Sequence, residues 1–217
     1  MTHIDKQHID YTLYLVTDRS VMSAKSLEQA VEQAIQGGCT VVQLREKHAS
    51  SREFFETAQR VKQITDSYHI PLIINDRTDI CLAVNAAGIH VGQQDLPAKV
   101  VRSIVGSDKI IGVSAATLSE AMQAEQDGAD YLGVGAMFAT STKTNTRPVT
   151  VEQLAQIKQS VQIPVVAIGG IQSSNAATLT DTGIDGIAVV SAILAQENIT
   201  HAAEQLKACF TGAGHEF

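Results

Sequence analysis

The feature that most constrains this 217-residue chain is an alternation. Short β-branched runs recur along it, and each is followed by a stretch with helical periodicity. The runs fall at residues 12–16, 40–44, 71–74, 88–91, 110–113, 131–134, 164–168 and 187–190. Amphipathic stretches between them include 26–36, 51–67, 117–127 and 151–159, several opening on a Ser or Thr able to cap a first turn. Strands that alternate with helices pair in parallel through right-handed crossovers. Eight such units in so short a chain predict one closed (β/α)8 TIM barrel, with residues 1–11 as an N-terminal arm or a lid over its base. The competing fold is an open doubly wound sheet, which would usually carry GxGxxG after its first strand. Here that strand ends in Thr17-Asp18-Arg19.

Composition removes other classes. The chain is 44% hydrophobic and 18% charged with a formal charge of −7, which fits neither disorder nor a general affinity for nucleic acid or anionic membrane. A cationic group that matters must therefore be local. Cys39, Cys81 and Cys209 form no CxxC and are expected to be reduced thiols in the cytoplasm. The start Met1-Thr2-His3-Ile4-Asp5 lacks signal-peptide character, and no apolar run approaches the ~20 residues of a membrane span. His48, His69 and His201 have no ligand spacing, so zinc is not expected, and His90 reads as a packed strand histidine. No GxSxG nucleophile motif is present.

Polar residues collect where the strands end, which is where a barrel builds its site. The second strand leads into Gln43-Leu44-Arg45-Glu46-Lys47, the third into Asn75-Asp76-Arg77 and the fourth into Gly92-Gln93-Gln94-Asp95. Ser114 follows the fifth. If the second strand runs on, Gln43, Arg45 and Lys47 share one face and Leu44 and Glu46 the other. Cations aimed into one mouth call for an anion, and Lys143 beyond the sixth strand adds a third; a solvated basic rim is the alternative. Asp76 and Asp95 end neighbouring strands about 4.8 Å apart, close enough to repel unless they share a cation. Magnesium on a diphosphate would suit them, although each could instead cap the helix that follows. Gly169-Gly170 with Val190-Ser191 can form a phosphate cup of backbone N–H groups, or else a tight turn. Thr140-Ser141-Thr142-Lys143-Thr144 is either a lid or second anion clamp, or plain surface.

Together these pieces resemble the thiamine-phosphate synthase family. The carriers are Val42 to Lys47, Ile74-Asn75-Asp76-Arg77, Gly88 to Pro97, Ile111-Gly112-Val113-Ser114, Thr140 to Lys143 and Ala167-Ile168-Gly169-Gly170-Ile171, in order and each at a strand end. The resemblance implies a TIM-barrel transferase that joins a hydroxymethylpyrimidine diphosphate to a thiazole phosphate, plain or carboxylated. Diphosphate would leave first, and the thiazole nitrogen would capture the pyrimidine cation. The segment Gln43-Leu44-Arg45-Glu46-Lys47 with Asn75 would hold the pyrimidine diphosphate, with Ser114 lining the same site. Asp76 and Asp95 would bind Mg2+. Thr140, Ser141 and Thr142 would contact the thiazole and Lys143 the diphosphate; Gly170, Val190 and Ser191 would hold the thiazole phosphate. Arg45, Lys47, Lys143 and Ser114 would carry the catalysis. A homodimer is also implied.

Ala139 stands where the family often has proline. The related thiazole tautomerase uses a histidine near position 116, where this chain has Ala116, and lacks the aspartate that stands here as Asp95. A non-catalytic binder of a phosphorylated metabolite is the rival of another class.

Overall fold

The computed structural model describes residues 6–140 and 147–212. Eight parallel strands close on themselves in sequence order: β1 Leu13–Val16, β2 Val41–Leu44, β3 Leu72–Asn75, β4 Gly88–Val91, β5 Ile110–Ala115, β6 Tyr131–Val134, β7 Val165–Ile168 and β8 Gly186–Val189. β8 returns to β1 with Tyr14 opposite Ala188, so no edge is left open. This is the (β/α)8 barrel that the alternation predicts.

The helices follow in order: α1 Leu27–Gln36, α2 Ser51–Ser67, α3 Thr78–Ala83, α4 Ala98–Val105, α5 Leu118–Gln126, α6 Val151–Ser160, α7 Ser191–Leu194 and α8 Ile199–Thr211. The hydroxyl residues before them act as caps. Ser26 accepts from Gln29 N–H, while Ser50 with Glu53 and Thr150 with Gln153 form reciprocal capping boxes. The crossover between β7 and β8 is a 3-10 stretch, Ala176–Thr182, rather than an α-helix.

Alternation along each strand makes two apolar layers. Leu13, Leu15, Val42, Leu44, Ile74 and Ile89 point outward into the layer shared with the helices. Tyr14, Val16, Val41, Ile73, Ile110, Tyr131, Val166 and Ala188 fill the interior, and Tyr11 packs against them from before β1. The interior is thus solid, and chemistry is left to the strand ends. Among the described residues, no helix is long and apolar enough to cross a membrane.

Candidate active site

β2 stops at Leu44, so Gln43 is the last inward residue of that strand and Arg45 and Lys47 leave on a loop. The three do not stand in a row. Gln43 is buried and donates from Nε2 to the Tyr14 hydroxyl at 2.9 Å. The Arg45 N–H is fixed by Thr17 Oγ1 at 3.0 Å, and its guanidinium donates to Asp18 Oδ2 at 3.0 Å. Lys47 Nζ donates to Asp76 Oδ2. Arg45 and Lys47 therefore each already have a carboxylate. The Leu44 side chain lies in the outer core, and Glu46 accepts from Arg19 Nε at 2.6 Å.

Asp18 was not singled out by the sequence. Its Oδ1 accepts from the Ser20 N–H at 3.0 Å and the Ser20 hydroxyl at 2.6 Å. Burial alone would raise its pKa, but Ser20 and the Arg45 guanidinium outweigh that and hold the carboxyl below its ordinary value.

Asn75 ends β3, and Asp76 follows in the left-handed region at φ 62°. The Asp76 N–H donates to His90 O at 2.9 Å, which ties it to the end of β4. Neither acid caps a helix: the N-cap positions of α3 and α4 are Arg77 and Pro97, without side-chain caps. Asp95 Oδ2 instead accepts from the Gly92 N–H at 2.8 Å. Burial raises the Asp95 carboxyl above its ordinary value and the neighbouring Asp76 adds to this, while Gly92 N–H and Lys47 pull the other way. Two carboxyls in mutual contact beside one ammonium make a negative pocket suited to a divalent cation that keeps most of its ligands as water or phosphate oxygen. Among the described residues, no group of three His, Cys, Asp or Glu side chains could hold a metal alone.

Across the mouth, Gly169 and Gly170 take φ values of 102° and 64°. Their backbone is held from one side: Met137 N–H donates to Ile168 O, Phe138 N–H to Gly169 O and Asn175 Nδ2 to Gly170 O, all at 3.0 Å. A side chain at Gly170 would meet Ala139 O at 2.5 Å, so the turn after β7 and the loop after β6 are in direct contact. Among the described residues, none accepts from the N–H of Gly170 or of Ser191, the first residue of α7. Val190, just before it, is half-buried. Thr140 is half-buried at the start of the hydroxyl-rich loop, and Ser141, Thr142 and Lys143 lie outside the described residues. Beyond that loop Arg147 forms a two-pronged pair with Glu120 at 2.7 and 2.9 Å.

Ser114 lies inside β5, which runs to Ala115. Its Oγ is 2.9 Å from His90 Nε2, and its carbonyl accepts from Gln93 Nε2 at 2.7 Å. His90 is packed and hydrogen-bonded, as expected, and its Nδ1 is 2.9 Å from the Tyr131 hydroxyl. The two tyrosines beneath this mouth, Tyr14 and Tyr131, were not read from the sequence as polar partners.

A closed barrel with cations, paired acids and a glycine turn at one mouth defines an enzyme acting on phosphorylated small molecules. The model of the thiamine monophosphate synthase family matches residues 13–193, and the chain belongs to that family. It is 62% identical over 205 residues to a thiamine-phosphate synthase from Ruminiclostridium cellulolyticum, covering 94% of this chain and 98% of that protein. A thiamine-phosphate synthase from Clostridium beijerinckii is 57% identical over 202 residues, 93% of this chain and 97% of the relative. The solved thiamine phosphate pyrophosphorylase from Pyrococcus furiosus superposes with a TM-score of 0.88 at 40% identity, covering 95% of this chain and 98% of the other.

Proposed function

We propose that this chain is a thiamine-phosphate synthase that joins a hydroxymethylpyrimidine diphosphate to a thiazole phosphate, plain or carboxylated. The observation that carries this reading is the two-sided mouth. Lys47, Asp76 and Asp95 converge on one side, and the Gly169-Gly170 turn with Val190 and Ser191 lies on the other. One side suits a diphosphate and the other a monophosphate, which a coupling of two phosphorylated substrates requires.

In the reaction, the bond from the pyrimidine methylene to the diphosphate oxygen breaks, and its electron pair leaves with diphosphate. The thiazole nitrogen then supplies the pair for the new C–N bond, and a carboxylated thiazole would also lose its carboxyl group as carbon dioxide. No side chain need attack, so the protein's work is charge stabilisation and positioning. Arg45 and Lys47 would meet the departing negative charge, with Lys143 from the loop after β6. Lys47 can exchange the Asp76 carboxylate for a phosphate oxygen. Asp76 and Asp95 would hold magnesium, which when bound neutralises charge on the diphosphate. Gln43, Asn75 and Ser114 would line the pyrimidine site. Gly170, Val190 and Ser191 would hold the thiazole phosphate, and Thr140, Ser141 and Thr142 would contact the thiazole. The backbone of the intervening Leu44 and Glu46 would border the diphosphate. A cytoplasmic homodimer is part of this reading.

The test is incubation with both substrates and Mg2+, with diphosphate and thiamine phosphate both measured. Equal amounts of the two are expected. Binding of either substrate without diphosphate release would overturn the reading in favour of a sensor. Conversion of the thiazole substrate alone would favour an isomerase.

A further inference from the structure

A line of hydrogen bonds crosses the barrel interior beneath the mouth. It runs from Gln43 Nε2 to Tyr14 OH at 2.9 Å, on to Tyr131 OH at 2.7 Å, then to His90 Nδ1 at 2.9 Å, and from His90 Nε2 to Ser114 Oγ at 2.9 Å. The bonds join strands β2, β1, β6, β4 and β5. Space for it is built in. A side chain at Gly112 would sit 2.1 Å from Tyr131 Cζ, and one at Gly133 would sit 3.0 Å from His90 Cε1. Burial keeps both phenols well above their ordinary pKa, so the line carries no phenolate.

Its direction follows from the orientation of the Gln43 amide together with a count of protons. An amide nitrogen only donates, and a phenol has one hydrogen to give. Tyr14 accepts from Gln43, so its hydrogen goes to Tyr131. Tyr131 then donates to His90 Nδ1. With Nδ1 accepting, the ring proton sits on Nε2 and is donated to Ser114 Oγ. The Ser114 hydroxyl is left with its own hydrogen to direct into the mouth, and Gln43 is left with Oε1 as its acceptor. The opposite amide orientation at Gln43 would reverse every one of these bonds.

We propose that Tyr14, Tyr131 and His90 are positioning residues that act through a one-way relay, holding His90 as the neutral Nε2–H tautomer and Ser114 as a donor towards the substrate. The functional half of this rests on the reading that Gln43 and Ser114 line the pyrimidine site. An aminopyrimidine edge presents a ring-nitrogen acceptor beside an amino donor. A fixed Ser114 donor with a Gln43 acceptor is its complement, and the reverse polarity is not.

The direct test is made on the ligand-free protein, so it stands apart from the proposed activity. Long-range 1H–15N spectra of labelled protein, with the His90 signal assigned from its loss in His90→Asn, should show the neutral Nε2–H form. The Nδ1–H tautomer or a doubly protonated ring would overturn the proposal. The functional test compares two tyrosines. Tyr131→Phe keeps the ring and should lower kcat by at least about tenfold, the scale of one hydrogen bond. Tyr11→Phe is the control, because Tyr11 lies 4.9 Å from Tyr131 between ring centroids and its buried hydroxyl has no partner among the described residues. Tyr11→Phe should leave kcat unchanged. Equal kcat in wild type and Tyr131→Phe, or an equal loss in both variants, would reduce the relay to packing and overturn it.

Discussion

Arg45 Nη1 donates to Asp18 Oδ2 at 3.0 Å, so a residue of the loop after β1 aims a cation that leaves β2. The pair is partly buried, with side-chain exposures of 22% and 15%, and Asp18 is itself tied to Ser20. Asp18→Asn preserves size and one acceptor but removes the charge. Arg45 would then be free to swing away from the diphosphate. The expected result is a kcat/KM lower by roughly tenfold, the scale of one charge-assisted hydrogen bond, in initial rates of diphosphate release. Unchanged rates would show that Arg45 needs no tether.

The metal role of Asp76 and Asp95 is best tested with asparagine. Asp76 sits at φ 62°, a conformation that Asn tolerates and Ala does not share as readily. Asp76→Asn and Asp95→Asn should each fold, as judged by circular dichroism, and lose roughly a hundredfold or more in turnover, as expected when one group stabilising a leaving charge is removed. Near-normal rates at saturating Mg2+ in both variants would refute the role.

How far the sequence could be read follows from what each inference needed. The barrel was legible because alternation is a local signal repeated along the chain, and the acids and glycines were legible because strand ends are where a barrel places polar groups. The fate of the cations was not. The parity of Gln43, Arg45 and Lys47 assumed that β2 continues, but the strand ends at Leu44 and the loop sends Arg45 to Asp18 and Lys47 to Asp76. These partners are 27 and 29 residues away in sequence, and only the parallel pairing of β2 with β1 and β3 brings them together. Tyr14 and Tyr131 were not read as polar partners because they are 117 residues apart and their hydroxyls meet only inside the closed barrel.

Two buried thiols give the fold a limit at alkaline pH. Burial pushes Cys39 up to about 12 and Cys81 up to about 11. An exposed thiol in the unfolded chain ionises at about 8.5, so the folded state holds these protons more tightly. The stability they contribute is complete below that value and is lost as pH rises towards the folded pKa, by at most about 1.4 kcal/mol per pH unit for each thiol. Urea midpoints should therefore fall from pH 9 upward, and less steeply in Cys39→Ala. In the native protein at pH 8, a thiol reagent should label Cys209, which is partly exposed, well before the other two. Prompt labelling of all three would refute this account.

Gly112 and Tyr131 face each other across β5 and β6, and the glycine has no room for a side chain. A Cβ there would lie 2.1 Å from Cζ and 2.3 Å from the hydroxyl of Tyr131, a buried ring hemmed in by Tyr11, Tyr14 and His90. The ring cannot retreat, so Gly112→Ala must strain the interior. Such overpacking typically costs about 1–3 kcal/mol, and for a chain of this size each kcal/mol lowers Tm by about 2–4 °C. Contact with Tyr131 predicts non-additivity: in a Tyr131→Leu background, which opens the space, Gly112→Ala should cost clearly less. A cost that is the same in both backgrounds would place the strain elsewhere. The same substitution should also lower turnover beyond its effect on stability, because it displaces the hydroxyl that joins Tyr14 to His90.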